Sequence, residues 1–207
     1  PLLSSFRGRL ATLVRPQACP NQPDRRYSDR ILSVKPCNSL HPAMSTDQKN
    51  LPESAQRVAS LLQSLGHDKP VVLLAETGRT SAEAAAGLGC EVAQIAKSII
   101  FRRVSDNAPV LVVASGSNRV DEAKVAARVG ELGKADARFV REATGYAIGG
   151  VCPIGHTVKP VMLLDEDLFN YDSLWAAAGH PHAVFNLTPE QLEAMTGAPI
   201  ADVALRA

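Results

Sequence analysis

Three sets of residues in this chain combine side-chain types and spacings that chemistry can use. The first is Lys97, inside the run Gln94-Ile95-Ala96-Lys97-Ser98-Ile99-Ile100-Phe101, where an ammonium is costly to bury unless it meets an anion or reaches water. Rooted on a strand and aimed into a cleft, Lys97 could hold a phosphate; a strand-end lysine that stretches its amine to solvent fits the same residues, and the sequence alone favours that plainer reading. The second is Gly149-Gly150-Val151-Cys152-Pro153-Ile154-Gly155-His156, where glycines permit close backbone approach, so peptide N–H and C=O groups could grip a polar ligand head. A tight bend between strands accounts for it equally. The third is His180-Pro181-His182, which with His156 could offer imidazole ligands; spacing of i,i+2 without a carboxylate partner is weak ground for a metal, and we expect neither metal nor cofactor.

The common hydrolase and nucleotide signatures are missing. The chain has no G-x-S-x-G elbow, no H-E-x-x-H, no P-loop and no G-x-G-x-x-G after a strand. Cys90 and Cys152 are far apart with no C-x-x-C, which argues against thiolate zinc and suits a reducing cytoplasm. Cys152 has no base paired with it in the sequence and is expected to line a pocket rather than to attack a substrate.

The elements that must position these residues alternate helix and strand signals from Leu51 onward. Pro52 and Glu53 open a helix with Ala55, Val58, Leu61, Leu62 and Leu65 on one face, stopped by Gly66. Val71 to Ala75 reads as a strand, and Thr80 with Glu83 forms a capping box before an alanine-rich helix reaching Leu88. Lys97 to Val104 and Val110 to Ala114 are apolar runs joined by Ser105-Asp106-Asn107-Ala108-Pro109, which predicts a β-hairpin. A helix is expected from about Val120 to near Gly133, then strands over Ala137–Val140 and Val161–Leu164. Tyr171 to Ala178 suits either helix or strand, and Thr188-Pro189-Glu190-Gln191 starts a helix that should stop at Gly197. Strands joined by turns as often as by helices do not make a doubly wound parallel sheet. The expected fold is α/β: a mixed, largely antiparallel, barrel-like sheet with helices packed outside.

Composition bounds the rest. With 207 residues, 45% hydrophobic and 21% charged, the chain suits one well-cored domain plus an appendage, and its longest apolar runs are strand-sized, so no membrane span is expected. Residues 1–43 hold seven Arg or Lys against two Asp, a net +5, while the remainder holds 15 basic and 19 acidic residues, a net −4. A mildly acidic domain does not bind RNA through a broad basic surface, so any contact must rest on a few placed cations. The first 43 residues, with five prolines before residue 40 and Met44-Ser45-Thr46-Asp47 after them, read as a disordered or mis-assigned extension rather than a transit peptide, leaving 44–207 as the domain.

Four ordered blocks carry a resemblance: the Lys97 run; Ser115-Gly116 leading to Arg119-Val120-Asp121 and Lys124; Thr144-Gly145-Tyr146; and Gly150-Val151-Cys152-Pro153-Ile154-Gly155-His156. From about Leu51 to Ala207 the sequence closely resembles the YbaK/prolyl-tRNA synthetase-associated editing domain family. The resemblance implies a free-standing trans-editing factor that hydrolyses the ester of a mischarged aminoacyl-tRNA, most often tRNA for proline carrying a small non-cognate amino acid. It implies that Lys97 contacts the terminal adenosine or its phosphate, that the Gly150–Pro153 loop positions the aminoacyl group, and that His180, or else His182, stands in the pocket. Lys97, Gly150, Pro153 and His180 are thus expected to serve the reaction, with Ser115, Gly116, Gly149, Val151, Cys152, Ile154, Gly155 and His156 binding substrate. The attacking group would be water, or a substrate thiol, helped by a ribose hydroxyl. The partners implied are mischarged tRNA, through its acceptor end, and a prolyl-tRNA synthetase, while the sequence is silent on whether a synthetase delivers the substrate.

Two other readings use the same residues. One is a non-catalytic RNA- or nucleotide-binding module that keeps the cleft without the reaction, and the more distant one is a metal-dependent hydrolase built on His156, His180 and His182.

Overall fold

In the computed structural model the described residues are 44–45, 50–75, 78 and 80–206, all within one unit of the chain, residues 34–207. The extension expected over 1–43 lies outside them. In chain order the elements are β1 (Met44–Ser45), α1 (Glu53–Ser64), β2 (Val72–Leu74), α2 (Ser81–Leu88), β3 (Ile95–Arg103) and β4 (Pro109–Ser115), then α3 (Glu122–Val129), β5 (Leu132–Lys134), α4 (Ala137–Thr144), β6 (Val161–Asp165), β7 (Leu174–His180), β8 (Ala183–Leu187), α5 (Pro189–Thr196) and β9 (Ile200–Ala201). Short 3-10 turns at Val92–Gln94 and Glu166–Asn170 enter β3 and leave β6.

The nine strands form one sheet in the order β1-β2-β8-β7-β3-β4-β6-β9, with β5 added to the far end of β3. Pairs β1–β2, β2–β8, β8–β7, β3–β4 and β3–β5 are antiparallel; β3–β7, β4–β6 and β6–β9 are parallel. The mixed, largely antiparallel sheet expected from the turn-rich connections is therefore present. The β3–β4 hairpin runs in register from Ala96 opposite Ser115 to Arg102 opposite Pro109, closed by a turn in which Arg103 and Asp106 pair and Asn107 takes φ 57°.

All seven residues of β4 are buried, because both its faces are covered. Leu111 and Val113 meet the larger core, with Ala55, Val58 and Leu62 of α1 and Leu192 of α5. Val110, Val112 and Ala114 meet Val125 of α3 and Val203. A strand covered on both sides reads as an unbroken apolar run, as Val110 to Ala114 does. The capping boxes at Thr80 and Thr188 are both formed, and α2 and α5 end on Gly89 and Gly197 in the left-handed conformation.

Four local expectations are corrected. Ala137–Val140 is the first turn of α4, not a strand: Asp136 caps it by accepting from Phe139 N–H, and the buried Val140, Ala143 and Thr144 follow a helical period. The helix after Asn118 stops at Val129, where Gly130 takes φ 98°, and Leu132–Lys134 turn back to pair with β3. Leu65 is the C-cap of α1 and exposed. The i,i+3 spacing of Asp121 and Lys124 predicts a same-face side-chain pair, which does not form: Asp121 caps α3 and Lys124 Nζ reaches Asp202 at 2.7 Å. Tyr171 to Ala178 resolves as the approach to β7 and the strand itself, with Ala176 opposite Phe185 and Ala177 opposite Val184 of β8.

Candidate active site

The sheet opens where β3 and β7 part. These parallel strands pair only at Ile95 with Trp175 and Ala96 with Ala176; β5 takes up the edge of β3 again at Phe101. Between those points Ser98 to Ile100 have β4 on one side and, among the described residues, no strand on the other. A cavity of about 470 Å³ occupies the opening, lined by β3 from Ile95 to Ile100, by Ala176 and Ala177 of β7, by Ala84 of α2 and by Ile148, Gly149 and Val151. Its lining side chains are apolar apart from Lys97, Ser98, Thr80, Ser81 and the indole N–H of Trp175. Ser98 Oγ is buried without a hydrogen-bond partner among the described residues.

Lys97 stands in that wall, half-buried. Its ammonium donates to the carbonyls of Gly116, at 3.3 Å, and Asn118. Burial lowers its pKa and the charge of Asp165 acts in the opposite direction. The loop that holds it is fixed by Ser115 and Gly116. Ser115 is buried, with its hydroxyl donating to Ala93 O at 2.8 Å, and a Cβ on Gly116 would lie 2.1 Å from Val92 O. These two residues therefore seat the loop against the 3-10 turn before β3 and do not line the cavity.

The glycine loop forms the opposite wall. Gly149 and Val151 line the cavity, whereas Gly150 packs on the end of β7, where a Cβ would stand 2.7 Å from the His180 Cα. Gly150 N–H is already bonded to Ala147 O at 3.0 Å. The rest of the loop turns inward: Cys152 is 0% exposed within the core and burial pushes its thiol up to about 12, so it neither lines the cavity nor carries a thiolate at neutral pH. Ile154 is also in the core, and His156 Nε2 donates to Cys152 O at 2.8 Å, with burial holding its pKa below the ordinary value. Pro153 and Gly155 likewise stand away from the cavity wall.

Sequence reasoning quoted Tyr146 without giving it a role. It is fully buried, its hydroxyl sits between the carbonyls of Ile154 (2.9 Å) and Gly155 (3.1 Å), and Arg57 lies over its ring at 5.2 Å. It pins the loop from below. Burial, followed by the nearby Cys152, pushes its phenol up to about 12 despite Arg57. The cavity residues Ser98, Ile100, Ala176 and Ala177 carried no signal, because each is an ordinary strand residue by type.

The His180-Pro181-His182 turn joins β7 to β8 beside Gly150. Leu74 N–H donates to His182 O and Gly78 N–H to Pro181 O, so the turn closes against β2 and the chain that follows it. His180 Nδ1 accepts from His182 N–H at 3.3 Å, the two rings lie 5.6 Å apart, and burial, then His182, lowers the His180 pKa. His156, bonded to the loop carbonyl, does not join them. Among the described residues no three His, Cys, Asp or Glu side chains converge as a metal site, and no helix is long and apolar enough to cross a membrane.

A split mixed sheet with a cavity in its opening, one lysine in the cavity wall and a glycine loop facing it defines a candidate small-ligand site. Residues 75–195 match the aminoacyl-tRNA editing domain family, and the chain belongs to that family. It is 34% identical over 114 residues to the uncharacterised protein YwhH of Bacillus subtilis (strain 168), a match covering 55% of this chain and 72% of YwhH. A crystal structure described as that of a candidate trans-editing enzyme for prolyl tRNA synthetase superposes with TM-score 0.71 at 43% identity, over 76% of this chain and all of that one. The crystal structure of the hypothetical protein APE2540 superposes with TM-score 0.67 at 29% identity, over 72% and 99% of the two chains. Family membership supports a function in aminoacyl-tRNA editing.

Proposed function

We propose that this chain is a trans-editing aminoacyl-tRNA deacylase whose substrate is tRNA for proline charged with a small non-cognate amino acid. The observation that carries this reading is the cavity in the sheet opening, apolar and small, with a cation at one wall and a glycine-lined backbone at the other. An aminoacyl ester joins those three needs: an amino-acid side chain for the apolar space, a terminal nucleotide phosphate for Lys97, and a carbonyl for backbone donors.

In this mechanism water adds to the ester carbon, the bond between that carbon and the ribose oxygen breaks, and the products are the free amino acid and tRNA ending in its ribose hydroxyl. The adjacent ribose hydroxyl assists the proton transfer. Because Gly150 N–H is committed to Ala147 O, the peptide groups that polarise the carbonyl are those of Gly149 and Val151 at the cavity wall. An aminoacyl ester is already activated, so holding water and carbonyl in register supplies the acceleration without a covalent intermediate. The His180 main chain packs against Gly150 and so orients the loop in this reading.

The reading gains from the known limit of a single binding step, in which one methylene is worth only about 1–3 kcal/mol, so that a second, smaller sieve raises fidelity. The test is release of amino acid from tRNA for proline charged with alanine, cysteine, 2-aminobutyrate, serine or proline, using the full chain and Lys97→Ala. One non-cognate amino acid should be released selectively, and the variant should lose about 10²-fold in rate while keeping its fold. Release of none of the five, or full activity in Lys97→Ala, would sink the reading. Tight tRNA binding without release would instead favour a binding module.

A further inference from the structure

Asp165 ends β6 beside the end of β4, one residue past the last pair between these two strands, Val113 with Leu164. Its carboxylate is 0% exposed. One oxygen accepts from Ser115 N–H at 3.0 Å and from Asn118 Nδ2 at 2.8 Å, and the other accepts from Asp167 N–H at 3.2 Å. Among the described residues no cation lies within ion-pair distance of it. A turn cap alone needs only the bond to Asp167, and an exposed carboxylate makes such a cap without the cost of burying a charge.

The other two bonds go to the segment that holds Lys97. Asn118 faces both ways: its side-chain amide reaches Asp165 and, at 2.6 Å, Asp167, while its main-chain carbonyl receives the Lys97 ammonium. Ser115 N–H fixes the start of the same loop, and Gly116 O supplies the second acceptor for Lys97. On the far side of Asn118, Arg206 holds Asp167 at 2.8 Å and also reaches Glu166 at 3.4 Å, so its charge is engaged away from Asp165. The cation that this same loop holds, through the carbonyls of Gly116 and Asn118, is Lys97.

We propose that Asp165 is a positioning residue for the reaction: through Asn118 and Ser115 it fixes the two carbonyls that aim the Lys97 ammonium. This deepens the deacylase reading, since it takes Lys97 as the substrate's anchor. The direction of the Lys97 titration agrees, burial lowering its pKa and Asp165 opposing the fall. Asp165→Asn keeps the shape and removes the charge. With its amide oxygen kept toward Ser115 and Asn118, its NH2 meets the Asp167 N–H, so the turn after β6 loses a bond as well.

The experiment measures two quantities in the full chain: release of amino acid from alanine-charged tRNA for proline across pH, and the rate at which trace acetic anhydride acetylates Lys97 across pH, read by peptide mass spectrometry. Asp165→Asn, folded by circular dichroism, should lower kcat/KM at pH 7 by about tenfold. Its alkaline limb of activity and its Lys97 acetylation midpoint should both move to lower pH, a shift that a merely structural cap would not cause. Unchanged midpoints in a folded variant overturn the proposal. Should Asp165→Asn not fold, Asn118→Ala decides, since it cuts the tie and leaves the charge: Lys97 should acetylate faster than in the unaltered chain, and an unchanged rate overturns the proposal. Failure of the unaltered chain to release any amino acid would count against the deacylase reading, and the acetylation comparison would then decide the role of Asp165 alone.

Discussion

Replacing Gly150 by Ala tests whether the loop's closeness to β7 is what sets the reacting geometry. Gly150 has an ordinary negative φ, so alanine meets no backbone strain there; its demand is for space. The added methyl would lie 2.7 Å from the Cα and carbonyl carbon of His180 and 2.8 Å from its nitrogen, all of them main-chain atoms that cannot swing aside. Relieving the overlap to ordinary contact near 3.4–4 Å requires loop and strand to separate by roughly 1 Å. Overpacking of that kind costs about 1–3 kcal/mol, and a misplacement of roughly 1 Å in a reacting array costs about 10²-fold in rate. The thermal midpoint should fall by about 2–4 °C per kcal/mol for a chain of this size. Gly197→Ala is the matched control, because Gly197 has φ 61° and nothing within 4 Å, so alanine costs about 1–2 kcal/mol there through backbone conformation alone. Measured side by side, both variants should melt earlier, and only Gly150→Ala should lose about 10²-fold in deacylation. Equal rates for Gly150→Ala and the unaltered chain would refute the argument that this contact positions the loop.

The histidines give a pH dependence of known sign. Burial lowers the pKa of His67, His156 and His180 in the fold, so the unfolded chain binds more protons once pH drops below about 6.5, and stability must decline from there down to the folded-state values. Thermal midpoints should be lower at pH 5.5 than at pH 7.5, and His156→Gln should flatten that slope; an unchanged slope would remove His156 from the account. Cys152, with its thiol pushed up to about 12 and no exposure, should resist iodoacetamide at pH 8 until the chain is unfolded, and rapid labelling of the folded protein would contradict its place in the core.

Much of this fold is legible in residue order, because its signals are local. Thr80 with Glu83, Thr188 with Pro189 and Gln191, and the unbroken apolar run of β4 each act within a few residues and form as read. Where the expected elements differ from the observed ones, the deciding partner lies elsewhere: Ala137-Arg138-Phe139-Val140 passes for a short strand until Asp136 caps it as a helix, and Leu132–Lys134 becomes a strand by pairing with the edge of β3. The candidate site divides in the same way. Lys97 and the loop at Gly149 stand out because a charge in an apolar run and paired glycines need an explanation. Asp165 sits 68 residues from Lys97 in the chain, at a strand end where an aspartate is an unremarkable cap, and only the fold joins the two through Asn118.

The opening between β3 and β7 has a bearing on how such a protein changes its choice of substrate. Its opposing walls are Ser98 to Ile100 on one strand and the small residues Ala176 and Ala177 on the other, and the strands themselves are held by pairing on either side of the gap. The width available to a guest is therefore encoded in a few methyl-sized side chains, while the frame around them stays fixed. Exchanging Ala177 for a bulkier residue narrows the space without asking any strand to move, so selectivity can drift by single substitutions and the architecture need not follow.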